Sequence, residues 1–109
     1  MGETITFKPK QFNYSVLPRL LDAVKVLERD GGRSILSGSN ENIQIAHYIS
    51  RARLGLGIPE NLVCLTEREH YEYDNGKYHR EIKKAIEGYL RQCYPDWDNT
   101  QLTYTKWGK

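Results

Sequence analysis

Three groups of side chains in this 109-residue chain have the types and spacing that chemistry requires. The largest is a lane of cations, Lys77, Arg80, Lys84 and Arg91, separated by three, four and seven positions, which on a helix puts them along one side. Lys83 and His79 accompany the lane, Tyr78 and Tyr89 stand at its margins, and Trp107 lies further along the chain. Cations so arranged follow a phosphate backbone or an acidic protein surface, and flanking aromatic rings add stacking. Arg51 and Arg53 either extend this patch or serve only the end of the segment that carries them. The competing reading is an ordinary solvated helix face, because Glu81 and Glu87 sit among the cations and the formal net charge is only +2.

The second group is Ser37-Gly38-Ser39-Asn40, a polar turn placed before a segment with helical periodicity. Free N–H groups at a helix start attract phosphate, so this turn is a candidate site for a phosphate-containing small ligand. It has neither the lysine of a P-loop nor the spacing of a GxGxxG fingerprint, and Ser39 or Asn40 serving as a helix cap accounts for it equally. The third group is His70, Glu72 and Asp74, with His79 beyond a turn. If residues 69–74 form a strand, three of these share a face and suggest a small metal-dependent hydrolase or nuclease; if the segment is helical they scatter around its axis. No catalytic residue, metal site or cofactor is assigned from the sequence. Cys64 and Cys93 stand 29 positions apart without CxxC or Cys/His ligand spacing and read as packed thiols in a reducing compartment.

The elements that must position these residues follow from periodicity. Glu3 to Lys8 alternates Thr4 and Thr6 with Ile5 and Phe7 and predicts a strand ended by Pro9. Leu17, Leu20, Leu21, Val24 and Leu27 recur at helical spacing, with Pro18 in the first turn and Gly31-Gly32 at the end, and predict a helix over 15–30. Ser34-Ile35-Leu36 suggests a short strand, and Ile43, Ala46, Ile49 and Ala52 a second helix. Leu62-Val63-Cys64-Leu65 predicts a buried strand. Over 66–75 two patterns compete. Thr66-x-x-Glu69 is a capping box, whereas Tyr71 and Tyr73 alternate with His70, Glu72 and Asp74 as in a strand. Asp74-Asn75-Gly76 marks a turn, after which Tyr78, Ile82, Ala85, Ile86, Tyr89, Leu90 and Cys93 define the clearest amphipathic helix. Gln101 to Trp107 reads as a final strand.

Together these predict an α+β fold, a compact single domain over 1–109 with about three helices and a small sheet of three to four short strands. The length allows one modest core. Hydrophobic residues make up 39% and charged residues 28%, with no apolar run long enough for a membrane span and no secretory leader pattern at Met1 to Phe7, so a cytoplasmic location is expected. Residues 37–76 carry three Arg against six Asp and Glu, while 77–109 carry seven Lys and Arg against four, a pairing that would also suit homo-oligomerisation. Eight tyrosines and two tryptophans supply interface material without any nucleophile arrangement. The expectation is a small binding or regulatory protein, including an inhibitor, whose partner is nucleic acid or a protein that handles it.

Overall fold

In the computed structural model, described here over residues 17–104, the two patterns competing over 66–75 resolve in favour of the capping box. Thr66 Oγ1 accepts from the Glu69 amide at 3.1 Å while Glu69 Oε1 accepts from the Thr66 amide at 2.9 Å, and the helix runs over Glu67–Asn75. The reciprocal pair satisfies two amides that the first turn leaves without intrahelical partners, which outweighs the alternation of Tyr71 and Tyr73. The described residues contain three α-helices, α1 (Leu20–Asp30), α2 (Glu67–Asn75) and α3 (His79–Cys93), and two strands, β1 (Ile43–His47) and β2 (Leu62–Thr66).

The strands pair antiparallel, with Ile43 opposite Thr66 and His47 opposite Leu62. α1 packs on one face of this ribbon through Val26, which meets Leu62 and Cys64 with Ile43 and Ile45 beside them. The other face carries the main core, where Ala46, Val63 and Leu65 pack with Tyr73, Ile86, Leu90, Trp97 and Leu102. Covered on both sides, β2 is apolar without alternation from Leu62 to Leu65, as expected of a strand sandwiched between layers. α2 joins α3 through the Gly76 turn, and α3 supplies Ile86 and Leu90 to the core as its periodicity predicts.

Four expectations are corrected. The helix expected over 15–30 begins only at Leu20, because Arg19 is extended and leaves Leu17 and Pro18 ahead of the first turn. Ile43, Ala46 and Ile49 belong to no helix: Ile43 and Ile45 serve the α1 face and Ala46 the opposite face, so a strand buried on two sides imitates helical spacing. Only a three-residue 3-10 turn, Arg51–Arg53, follows. Ser34 to Leu36 forms turns, although the Ile35 amide reaches the Cys64 carbonyl at 3.0 Å. Near the C-terminus a 3-10 turn at Asn99–Gln101 and one bridge between Gly55 and Thr103 replace the expected strand up to Tyr104. The sheet among the described residues therefore has two strands where three to four are expected. The expected strand Glu3 to Lys8, and Trp107, lie outside the described residues.

Two polar clusters hold the layers together. Asp30, at the end of α1, accepts from Arg29 at 2.7 Å and 3.1 Å, from the Cys64 amide at 2.9 Å and from the Tyr89 hydroxyl, tying α1 to β2 and α3. Arg29 also donates to the Pro59 and Leu62 carbonyls at 2.8 Å and 2.6 Å and to Tyr94 at 3.2 Å. Its guanidinium pKa is moved above the ordinary value: burial opposes the charge, but the hydrogen bond and attraction to Asp30 prevail. The second cluster centres on Asn61, fully buried, whose Oδ1 accepts from the Ile49 amide at 2.8 Å and whose Nδ2 donates to the Ile49 and Leu56 carbonyls at 3.1 Å and 2.8 Å. This clamp fixes residues 49–56, the loop that carries Arg51 and Arg53. The loop passes so close to itself that a Cβ on Gly55 would lie 1.7 Å from the Ile49 carbonyl oxygen, so only glycine fits there. No helix among the described residues is long and apolar enough to cross a membrane.

Candidate functional site

α3 presents two unlike sides. Ile82, Ile86 and Leu90 turn inward, while Arg80, Lys84 and Arg91, at the helical spacing read from the sequence, are exposed. Lys77 stands ahead of the first turn with its ammonium 5.3 Å from the centre of the Tyr78 ring, and Tyr78 is itself 53% exposed. Arg91 lies over Trp97 at 5.1 Å and Lys83 over Tyr48 at 5.7 Å, contacts that hold long cationic side chains against aromatic faces without removing their charge from solvent. Tyr89 is placed differently. Its hydroxyl is bonded to Asp30 in the α1 cluster, and burial together with that carboxylate holds its pKa above the ordinary value.

The fold brings the Arg51–Arg53 turn up to this helix. Arg53 and Lys83 line one cleft of about 250 Å³ whose walls include Tyr48, Tyr73, His79 and Asp74. The walls are braced from behind. Tyr73 donates to the Tyr48 carbonyl at 2.6 Å, His79 Nδ1 meets the Tyr73 carbonyl at 2.5 Å, and the His79 ring stacks on Tyr73 at 4.7 Å. With Nδ1 engaged on a carbonyl it carries the proton, which leaves Nε2 as the open position of the imidazole. Tyr48 donates to Glu87 at 2.5 Å, and burial followed by this bond raises its pKa to about 12, so the phenol stays neutral and its ring remains an uncharged wall. Arg51 points into a neighbouring cleft of about 380 Å³ with His70 and Asp74. A pair of cations at one cleft can hold a phosphate or carboxylate; Tyr48 and Tyr73, 4% and 3% exposed, back the cleft, and the ring open to a flat group is that of His79, stacked on Tyr73.

The remaining sequence candidates do not assemble as expected. Because α2 is helical, Glu72 is turned away from His70 and Asp74, which share one face and pair at 3.3 Å; His70 also meets Gln44 at 2.8 Å, and His79 lies in the other cleft. No three His, Cys, Asp or Glu residues among those described are grouped to hold a metal ion. The Ser37-Gly38-Ser39-Asn40 turn leads into β1, so the helix start on which its phosphate reading rested is missing. Its polar groups are engaged locally: Ser37 Oγ accepts from the Ser39 amide at 3.3 Å, Ser39 Oγ from the Glu41 amide at 3.1 Å, and the Gly38 carbonyl from Arg33 at 3.0 Å. The nearby helix start is that of α2, where Thr66 occupies the cap and Glu67 and Glu69 stand in the first turn, an arrangement that repels anions. Ser34 donates to Glu69 at 2.5 Å, and hydrogen bonds from Ser34, Ser37 and Thr66 outweigh partial burial and lower the Glu69 pKa.

Tyr48, Tyr73 and His79 as cleft walls escape sequence reasoning, since nothing in the spacing joins β1, α2 and α3. The basic residues Arg53 and Lys83 carry a signal, clustered like charge, but their convergence is tertiary. The chain matches no protein-family model, and no curated protein is similar to it.

Proposed function

We propose that the protein is a non-enzymatic binding protein that engages nucleic acid through the face formed by α3 and the Arg51–Arg53 turn. The observation that carries this reading is the shared cleft, in which cations from two distant parts of the chain stand beside Tyr48 and Tyr73. A phosphate held between Arg53 and Lys83 leaves the adjoining sugar and base free to lie over the exposed His79 ring, and Arg80, Lys84 and Arg91 offer further phosphate contacts along α3. Arg51, Lys77 and Tyr78 border the same region. The two free thiols support a reducing compartment.

The test is fluorescence anisotropy with labelled single-stranded and duplex oligonucleotides over a salt series. Affinity should fall steeply with salt, and each of Arg53→Ala, Lys83→Ala and Lys84→Glu should reduce the logarithmic salt slope by roughly one where a phosphate contact is lost. Absence of salt-dependent binding to either oligonucleotide at low ionic strength refutes it. A second reading, docking on a protein that handles nucleic acid, is favoured by Glu81, Glu87 and Asp74, which break the positive run and suit a mixed-charge protein surface better than a polyanion. In that case the same substitutions weaken the protein complex while oligonucleotides fail to bind.

A further inference from the structure

Among the described residues, the apolar side of α1 is left uncovered. Val26 and Asp22 face inward, while Leu20, Leu21, Val24 and Leu27 are 83%, 62%, 39% and 40% exposed on the opposite side. Asp22 is held in its buried position by Arg19 at 3.1 Å, and the Arg29 and Asp30 cluster pins the far end of the helix, so the orientation of α1 is set by polar contacts on its inner side. Leu20, Val24 and Leu27 follow one another at spacings of four and three, with Leu21 alongside, which is the seam by which two helices interlock.

We propose that this stripe is the contact between two copies of the chain, with their α1 helices packed antiparallel across a two-fold axis. A two-fold contact requires one patch that complements itself, and a convex apolar ridge one helix long meets that requirement. The four side chains expose roughly 400 Å² per copy, as large as the greatest apolar patch an ordinary monomer shows. Two copies cover up to about 800 Å² of apolar surface, and the flanking Lys25 and Glu28 bring the contact toward the roughly 1,000 Å² of a small specific interface. Lys25 and Glu28 on the flank balance each other in sign, so the approach of an identical surface meets no net repulsion. An antiparallel crossing at Val24, near the middle of α1, sets the two Val24 side chains against each other and Leu21 of each copy against Leu27 of the other, and opposes the two helix dipoles. The contact shares no residue with the basic cleft and stands whether or not nucleic acid binds there.

The test is the mass of the full chain in solution, by sedimentation velocity and light scattering, from low to high micromolar concentration and at low and high salt. The expected species has twice the 12.7 kDa chain mass and persists at high salt, where oligonucleotide binding is lost. Leu20→Glu, at an exposed site near the start of α1, should give a monomer with unchanged circular dichroism. Val24→Ser is the milder companion and should raise the dimer dissociation constant at least about tenfold, the scale of a truncated residue at the centre of an interface. A chain that stays monomeric throughout, or a dimer whose mass neither substitution moves, overturns the proposal. A monomer whose thermal stability falls with Leu20→Glu also overturns it, and assigns the stripe to a contact within the chain.

Discussion

Replacing Asn61 by alanine removes three hydrogen bonds at once: one accepted from the Ile49 amide and two donated to the Ile49 and Leu56 carbonyls. Asn61 is fully buried, so no solvent stands ready at the amide to take its place. A typical bond contributes about 1 kcal/mol net, and a buried group left without its partner costs about 1 to 3 kcal/mol, so the substitution should cost about 3 to 4 kcal/mol. A domain of this size has about 5 to 15 kcal/mol in all, so the variant remains folded but visibly weakened. Urea unfolding followed by circular dichroism and by the fluorescence of Trp97 measures the loss. Asn61→Asp sharpens the test. It keeps an acceptor for the Ile49 amide but turns a carboxylate oxygen toward two carbonyls, so it should be at least as damaging at neutral pH. Below the carboxyl pKa, the protonated side chain can again donate, and part of the loss should be recovered. The consequence for binding is separate: with the clamp gone, Arg51 and Arg53 lose their fixed position, and oligonucleotide affinity should drop even where the variant is folded. A stability change below about 1 kcal/mol would refute the reasoning, since it would mean that the loop is held by its backbone bonds without the amide.

Asp30→Asn should destabilise by about 3 to 5 kcal/mol in denaturant unfolding, because it leaves the part-buried Arg29 without its counter-charge; a loss no larger than that of Tyr89→Phe, about 1 kcal/mol, would show that Arg29 is neutralised elsewhere. Ile86→Ala should cost about 2 to 5 kcal/mol, and a loss of a few tenths would mean that α3 is turned differently about its axis. Burial raises the pKa of Tyr48 to about 12 from 10.0 and shifts Tyr73, Tyr89 and Tyr94 in the same direction. Each folded value lies above the unfolded one, so their contribution is complete below pH 10.0 and is lost as pH rises through the folded values. Alkaline titration should therefore show the phenolate absorbance of these four tyrosines, resolved by Tyr→Phe variants, and loss of helical circular dichroism rising together, and their ionisation with the fold intact would contradict their burial.

How much of this was legible in the sequence depends on whether the signal was local. Thr66 and Glu69 contain the whole argument for the start of α2, and the stripe from Ile82 to Cys93 contains that for α3. β2 declared itself because both of its faces are covered. β1 did not, since Ile43, Ile45 and Ala46 serve opposite layers and produce the intervals of a helix. The end of α1 followed from its leucines and Gly31-Gly32, but its start did not, since Leu17 and Pro18 lie ahead of the helix; which way the leucines point is decided by Asp22, Arg29 and Asp30 finding partners inside, and no periodicity reports that. The cationic lane was readable as a run of charge along α3. Its meeting with Arg53 was not, because that depends on Asn61 and Gly55 folding residues 49–56 back toward α3.

Cys64 sits in β2 with no exposed surface, its thiol raised to about 12 by burial and by Asp30, whereas Cys93 at the end of α3 is half-buried. A thiol reagent attacks the thiolate, so Cys64 is silent while the strand is covered and reacts only when α1 or the sheet lifts away. The labelling rate at Cys64 therefore clocks the opening of the layers, and Cys93 serves as a reference on the same chain. Without any added probe, the protein carries a chemical stopwatch for its own breathing, read by mass as one label or two.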